Sequence, residues 1–382
     1  MGNTITFSDK LKLVSFILSS DKFTNGPKVK QFEKQWCDWS ASKYSLFVSS
    51  GSTANSLLIQ SIKEYYGLND GDKVLVPACT WITSITPILQ ANLLPIFCDV
   101  SLDNYCMSEE DMITISRENP DIKLVFTTHL LGYYSDIEKI KEIFPNAIIA
   151  EDCCEAHGVT DHDGNITGKH SVGCTYSFYY GHHMTTVEGG IVTTNNYDLY
   201  NLMRMKRSHG LAREATPEVF DEMKSKYPDI IPSFLFTTDG YNFRNTEIAA
   251  VLGLQQIKRL NSIVKNRNLN YKKYYEIISS RTDLFYIPDN PVNKSSFAFP
   301  FVCKNFVTYH KLQDALKKNN IEYRPVIAGN LLRQPFLAGR KFTYHKDFYN
   351  VDILHDQGLY VGNNHLLNNS NFKMLSKIIK DL

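Results

Sequence analysis

Residues 177–196, SFYYGHHMTTVEGGIVTTNN, join two short β-forming runs through a segment that holds two adjacent histidines and a Glu-Gly-Gly turn. The runs predict strands at Thr175–Tyr179 and Ile191–Thr194. Upstream, similar runs alternate with stretches of helical periodicity. The strands predicted there are Lys73–Val76, Leu94–Asp99, Leu124–Thr128 and Ala147–Ala150, and the predicted helices are Thr53–Tyr66, Trp81–Ala91, Glu109–Arg117 and Asp136–Ile143. This alternation is typical of an α/β fold in which helices cover a mostly parallel sheet.

The pattern changes near Gly240, which predicts a second and smaller unit. A long helical stretch covers Thr246–Ser280, and strands are predicted near Phe297–Cys303 and Ile321–Tyr323. We therefore expect a large domain over residues 1–260 and a smaller C-terminal α+β domain over residues 261–382.

Charge and composition exclude several classes of protein. The 382 residues include 41 basic and 40 acidic side chains, and the net charge of +1 provides no broad field for nucleic acid or an anionic membrane. No stretch is apolar over the length needed to span a bilayer, and the first residues lack a signal-peptide pattern, so we expect a cytoplasmic protein. The eight cysteines form no Cys-x-x-Cys pair, which argues against a zinc module or a disulfide framework.

The segment VSSGSTAN, residues 48–55, predicts a phosphate site. A strand here runs into a small, hydroxyl-rich turn and then into a helix. Amides at a helix N-terminus, with the hydroxyls of Ser52 and Thr53 beside them, can hold a dianionic phosphate without a lysine. The same pattern is at least as often an ordinary helix cap.

The segment AIIAEDCCEAHG, residues 147–158, places Asp152 at the end of an apolar strand. Open α/β sheets bind ligands at this edge. A carboxylate there can protonate a pyridine nitrogen and so make the ring a better electron sink. Taken alone, a helix-capping aspartate is the simpler interpretation.

The segment at 177–196 resembles the DegT/DnrJ/EryC1/StrS sugar aminotransferases, which have the aspartate aminotransferase fold type I. In that family a lysine stands six residues before the glutamate of the Glu-Gly-Gly turn. Here the glutamate is Glu188 and the position six residues earlier is His182, with no lysine between Lys169 and Lys206. The resemblance extends over nearly the whole chain, through GPKVKQFEKQW, VSSGSTAN, VPACTW, EDCCEAHG, RSHGLARE, GYNFR and IEYRPVIAGN.

The histidine variant resembles the sugar 3-dehydratases of this family. The resemblance implies a large domain with a mixed, mostly parallel sheet and a pyridoxal 5'-phosphate cofactor. Histidine cannot make the covalent link that lysine makes, so the cofactor is expected to bind non-covalently and to work as pyridoxamine 5'-phosphate. With a reference pKa near neutrality, His182 can act first as a base and then as the acid that assists departure of a C3 hydroxyl. The six-residue spacing selects His182, and His183 is expected to be a packing or surface residue.

The resemblance also implies the partners. The substrate is expected to be a nucleotide-linked 4-keto-6-deoxy sugar, with GDP favoured and CDP, UDP and dTDP left open, and glutamate is expected to return the amino group. A lysine-free aminotransferase and a catalytically inactive sugar-nucleotide-binding regulator remain as alternatives. An iron–sulfur cluster is not expected, because no cysteine lies between Cys174 and Cys303, where cluster-bearing relatives carry clustered cysteines.

The remaining site residues are carried over motif by motif. Trp81 is expected to stack on the cofactor ring, although a core tryptophan is the alternative. For the two arginines of the predicted site, Arg213 and Arg244, surface salt bridges are the alternative. Glu155 is expected to contact the ring hydroxyl, and Ser177 is expected to bind the phosphate. Asn242 is expected to bind the phosphate from the neighbouring subunit of a homodimer. His209, Arg213 and Arg244 are expected to contact the sugar or the diphosphate.

Overall fold

The structure is a computed structural model that describes residues 4–344 and 348–382. Within these residues the helices are α1 Phe7–Ser19, α2 Pro27–Ser40, α3 Gly51–Tyr65, α4 Thr86–Gln90, α5 Glu109–Glu118, α6 Ile137–Ile143, α7 Tyr197–Arg207, α8 Pro217–Lys226, α9 Glu247–Ser279, α10 Phe306–Lys318, α11 Tyr349–Gln357 and α12 Asn369–Lys380. The strands are β1 Tyr44–Val48, β2 Lys73–Pro77, β3 Leu94–Cys98, β4 Leu124–Thr128, β5 Ile148–Asp152, β6 Gly173–Ser177, β7 Gly190–Thr194, β8 Phe285–Tyr286, β9 Ala298–Cys303, β10 Tyr323–Pro325, β11 Thr343–Tyr344 and β12 Gly358–Gly362.

The described strands form two sheets. The larger has the order β1-β7-β6-β5-β4-β2-β3-β11, and its neighbours from β6 through to β11 run parallel. The smaller is antiparallel, with the order β10-β12-β9-β8. The central strands β4 and β6 are buried at every residue, as expected for a parallel sheet covered on both faces. The predicted α/β fold with a mixed, mostly parallel sheet is confirmed.

The carboxyl ends of β1, β5 and β6 lie at the same edge of the large sheet. Strands β4, β5 and β6 are parallel, and β1 is antiparallel to β7, which is itself antiparallel to β6. Strand β1 therefore points in the same direction as β6. Consequently the start of α3 at Gly51, the strand end at Asp152 and the strand end at Ser177 meet at one carboxyl edge, where ligands of such sheets bind.

The helix expected over Trp81–Ala91 is interrupted. A 3₁₀ turn covers Ile82–Ser84, and α4 starts again at Thr86 with Pro87 in its first turn. A proline ring clashes with the carbonyl four residues before it and donates no hydrogen bond, so one continuous helix cannot form here. The periodicity did not predict α1 and α2.

The division of the chain near residue 260 stays a prediction. That residue lies inside α9, whose 33 residues continue without a break across it. Strand β11 comes from the C-terminal part of the chain, yet it pairs with β3 of the large sheet.

No helix in the described residues is long and apolar enough to cross a bilayer, and all eight cysteines are free thiols.

Candidate active site

The VSSGSTAN segment forms the capped start of α3. Ser50 is the N-cap: its hydroxyl accepts from the Thr53 amide at 3.1 Å, and the Thr53 hydroxyl accepts from the Ser50 amide at 2.9 Å. The Thr53 hydroxyl, which was expected to bind phosphate, thus takes part in the helix cap, the alternative interpretation of this segment. The amides of Gly51 and Ser52 belong to the first turn and have no partner within the helix, so they can face an anion.

Gly51 brings this helix start against the ends of two strands. A Cβ at Gly51 would lie 2.7 Å from Cβ of Ser177 and 2.9 Å from Sγ of Cys154. Only glycine permits this approach without displacing a neighbour. The Ser177 hydroxyl accepts from the Tyr179 amide at 3.3 Å. The structure therefore places Ser177 beside the first-turn amides of α3, to which Ser52 also belongs.

Asp152 is fixed at the end of β5 and is 3% exposed. Its Oδ2 accepts hydrogen bonds from Asn55 Nδ2 at 2.8 Å and from Ser84 Oγ at 2.7 Å, and its Oδ1 accepts from the Cys154 amide at 3.0 Å. Thr175 Oγ1 in turn donates to Asn55 Oδ1 at 2.5 Å. These bonds determine the orientation of the carboxylate before any ligand arrives.

Glu155 lies close to Asp152 and accepts a hydrogen bond from the Leu131 amide at 2.9 Å. Burial raises the pKa of Glu155 to about 8, and the nearby Asp152 charge adds to the rise, while the Leu131 bond opposes it. At neutral pH this carboxyl is mostly protonated, so it can donate a hydrogen bond as well as accept one. Trp81 caps the 3₁₀ turn that carries Ser84 and is 57% exposed.

His182 lies in a turn after β6, and its amide donates to the Tyr179 carbonyl at 3.0 Å. Its half-buried side chain lines a cavity of about 300 Å³ that reaches the second sheet. Its Nδ1 is buried and has no hydrogen-bond partner among the described residues. Burial, helped by the charge of Arg267, lowers the pKa of His182 to about 3, well below the neutral value assumed from the sequence. The imidazole is therefore neutral at pH 7.

His183 follows His182 in the same turn but has a different environment. Its side chain is fully buried, and Nε2 lies 3.1 Å from Ser295 Oγ. The Ser295 hydroxyl donates to the His157 carbonyl at 2.6 Å, so the proton shared with the histidine comes from His183 Nε2. His183 thus packs inside the protein, while His182 lines the cavity.

Two of the predicted substrate-contacting residues, His209 and Arg244, form one cluster with Asn242, which was predicted to bind phosphate. Arg244 Nε donates to Asn242 Oδ1 at 3.2 Å, and Arg244 Nη2 lies 3.3 Å from His209 Nε2. The segment that carries them runs beside the end of β1, where the Ser49 amide donates to the Phe243 carbonyl at 2.9 Å. The cluster therefore lies close to the α3 start.

Arg213 is not part of this cluster. Its Nη1 donates to the Ser233 carbonyl at 2.8 Å, and its guanidinium lies 5.9 Å from the ring centre of Phe234. It lines another cavity, of about 750 Å³, together with Arg204 and Arg207. In the described chain no contact joins Arg213 to His209 or Arg244.

The chain matches the model of the DegT/DnrJ/EryC1/StrS aminotransferase family over residues 6–379. The protein belongs to this family. It is similar to the GDP-4-keto-6-deoxy-D-mannose 3-dehydratase of Yersinia pseudotuberculosis, with 31% identity over 384 residues that cover 98% of this chain and 96% of the relative.

Two solved structures are also similar. The E. coli GDP-4-keto-6-deoxy-D-mannose-3-dehydratase with bound hydrated PLP matches with a TM-score of 0.91 and 28% identity, over 99% of this chain and 98% of that one. A GDP-4-keto-6-deoxymannose-3-dehydratase with a trapped PLP-glutamate geminal diamine matches with a TM-score of 0.90 and 28% identity, over the same shares of the two chains.

The structure of this DegT/DnrJ/EryC1/StrS family member also reveals residues that the motifs missed. Asn55 and Ser84 hold Asp152, and a buried asparagine within a helix was the available signal for the first. Arg267 contacts the His182 turn. It occupies the buried face of α9 together with Leu260, Ile263 and Tyr271, so a charge at an apolar helical position was the available signal.

Proposed function

We propose that the protein is a carbon–oxygen lyase that uses pyridoxal 5'-phosphate and pyridoxamine 5'-phosphate. It removes the C3 hydroxyl of GDP-4-keto-6-deoxy-D-mannose and yields a 3,6-dideoxy-4-keto sugar. The observation that carries the proposal is His182, which stands where the aminotransferases of the family have lysine, in a segment without lysine between Lys169 and Lys206. The lysine is replaced while Trp81, Asp152, Ser177 and the Glu-Gly-Gly turn remain.

The residues present fit the phosphate of this cofactor. The Gly51 and Ser52 amides, with the hydroxyls of Ser52 and Ser177, offer several donors to one dianion. The tight approach of Gly51 to Ser177 leaves no room for a side chain between them. Thr53 contributes by holding the cap in shape.

The residues at the strand ends fit the ring. Asp152 can hold a proton on the ring nitrogen, because its carboxylate is preset by Asn55 and Ser84. Glu155 can share a hydrogen bond with the ring hydroxyl, and the exposed Trp81 can cover the ring face. When bound, the cofactor supplies an amine for the sugar ketone and an electron sink.

His182 moves the protons of the reaction. Because its imidazole is neutral at pH 7, it can accept a proton from carbon, and the resulting imidazolium can deliver one to the departing C3 oxygen. Since Nδ1 is buried, Nε2 is the nitrogen left to exchange protons. The negative charge of a bound phosphate would raise the low pKa of His182 and improve it as a base. Without a lysine at this place, binding of the cofactor is non-covalent.

Hydrolysis releases the sugar as a ketone and the amino group as ammonia, and glutamate returns an amino group to the cofactor. His209 and Arg244 contact the sugar or the diphosphate, since a guanidinium fork suits phosphate oxygens. Arg213 would have to act from outside the His209–Arg244 cluster. Asn242 completes the phosphate site of the neighbouring subunit, so the protein works as a homodimer with shared active sites. Each subunit consists of a large domain and a smaller C-terminal domain.

The product supplies a 3,6-dideoxy sugar pathway. We assign it to the synthesis of colitose for the O-antigen of lipopolysaccharide, in the cytoplasm, where nucleotide sugars are available.

The test is a substrate panel. The enzyme is incubated with cofactor, glutamate and, in turn, the GDP-, CDP-, UDP- and dTDP-4-keto-6-deoxy sugars. The mass of each product is measured by mass spectrometry. We expect the GDP sugar to lose one oxygen atom and the others to react more slowly. Unchanged sugars, or a sugar that gains an amino group, would rule out the dehydratase.

A further inference from the structure

Arg267 is a buried cation that no carboxylate accompanies. It lies on α9, is 3% exposed, and makes no ion pair within residues 4–344 and 348–382. Burial lowers the pKa of Arg267 to about 10, so the guanidinium still carries its charge at neutral pH. A buried charge without an opposite charge is costly. Such a residue is retained for what its hydrogen bonds do.

Those hydrogen bonds join two parts of the fold at the cavity. Nη1 of Arg267 donates to the Phe297 carbonyl at 2.9 Å, and Nη2 donates to the His182 carbonyl at 3.4 Å. Phe297 immediately precedes β9 of the small sheet, while His182 follows β6 of the large sheet. The rings of His182 and Phe297 lie 5.3 Å apart. One planar guanidinium therefore spans the gap between the two sheets.

A second link to the same segment passes through the neighbouring histidine. Ser295 accepts from His183 and donates to the His157 carbonyl, and its amide donates to the Gly132 carbonyl. This link fixes the buried side of the turn. It does not touch His182, whose carbonyl is held by Arg267 alone among the side chains of the described residues.

We propose that Arg267 is a positioning residue for the reaction: by holding the His182 and Phe297 carbonyls together, it keeps the His182 ring in place at the wall of the cavity. The proposal rests on the proposed function, because it takes His182 as the group that moves the proton. The planar guanidinium of an arginine holds two N–H donors in a fixed geometry and therefore suits this task, whereas a lysine has one flexible ammonium.

The same guanidinium acts on His182 electrostatically. Burial is the larger cause of the lowered pKa of His182, and the Arg267 charge lowers it further. His157 and Tyr179 have ring centres 6.2 Å from that of His182, and His183 follows it in the turn. The other titratable side chains around the cavity are Tyr180, Glu322, Tyr323, Arg324 and Tyr360. Removing the Arg267 charge should therefore let the pKa of His182 rise.

The experiment compares Arg267→Met and Arg267→Lys with Lys265→Met, a matched charge removal at an exposed position of the same helix. Single-turnover rates are measured on enzyme loaded with the amine form of the cofactor. The His182 ring is titrated by NMR in cofactor-free protein, with its signal assigned from His182→Asn. For Arg267→Met we expect a rate loss on the order of 10²-fold, a KM for the sugar within about threefold of wild type, and an upward shift of the His182 titration.

Arg267→Lys keeps the positive charge but loses the planar guanidinium, so we expect a low His182 pKa together with a reduced rate. Lys265→Met should match wild type in both measurements. The proposal is overturned if folded Arg267→Met keeps the wild-type rate or an unchanged titration. If Arg267→Met does not fold, a wild-type rate in Arg267→Lys has the same meaning. Failure of the proposed function is recognised separately, since wild-type enzyme would then not dehydrate any sugar.

Discussion

Three neighbouring histidines have the same protonation state for the same reason. His157 and His183 are fully buried and His182 is half-buried, and burial lowers the pKa of each. The spacing to Glu188 predicts that His182 occupies the lysine position, because that information lies in the sequence. The low pKa of His182 could not be predicted, because it depends on burial and on Arg267, 85 residues further along the chain.

His157 provides a test of this shared burial. It is fully buried among Trp36, Tyr176 and Phe178, and neither ring nitrogen has a hydrogen-bond partner of good geometry in the described chain. A buried histidine with a lowered pKa stays neutral in the folded state but takes up a proton in the unfolded state below about pH 6.5. Its contribution to stability is therefore complete above that pH and is lost as the pH falls.

We expect His157→Phe to be close to wild type in free energy of unfolding at pH 7.5, because it replaces a poorly satisfied polar ring with an apolar ring of similar size. At pH 5.5 the variant should be the more stable protein, by roughly 1 kcal/mol. Urea unfolding at both pH values measures the difference, with the exposed His310 of α10 replaced as control. A stability difference that does not change with pH would contradict the account.

At the level of elements, the start of α3 shows what a motif can and cannot indicate. The small residues of VSSGSTAN predicted a helix N-terminus, and α3 begins within two residues of the predicted start. Its contacts with Ser177 and Cys154 come from β6 and from the residues after β5, so they follow from the sheet order and not from the motif. The helix expected over Trp81–Ala91 was wrong as one element, since Pro87 interrupts it.

Gly51→Ala tests this contact. The added Cβ would meet Ser177 Cβ at 2.7 Å, so the helix start and the strand end must separate. Overpacking of this kind costs about 1–3 kcal/mol, and we expect the Kd for pyridoxal phosphate to rise by about 10-fold or more. Alanine favours helix over glycine, so loss of the helix itself is not expected.

The Kd is measured by fluorescence titration of wild type, Gly51→Ala and Gln60→Ala, a control on the same helix beyond the contact. Gln60→Ala should bind like wild type. Unchanged cofactor affinity in Gly51→Ala would show that the phosphate does not bind at this helix start.

At the level of the whole molecule, the alternation of strands and helices predicted the large sheet, because each parallel strand needs a helical crossover. The pairing of β11 with β3 could not be predicted, since it joins residues from distant parts of the chain. The cluster of Asn242, Arg244 and His209 likewise forms only when segments 33 or more residues apart meet. The motifs named its members but did not place Arg213 away from them.

The central claim is that this molecule removes an oxygen from a sugar and that His182 moves the proton. The most direct measurement is the mass of the sugar formed from GDP-4-keto-6-deoxy-D-mannose by wild type, His182→Asn and His183→Asn, each checked for folding by circular dichroism. We expect wild type and His183→Asn to form a product with one oxygen fewer, and His182→Asn to be slower by about 10²–10⁴-fold, since asparagine has no titratable group. An active His182→Asn beside an inactive, folded His183→Asn would contradict the assignment.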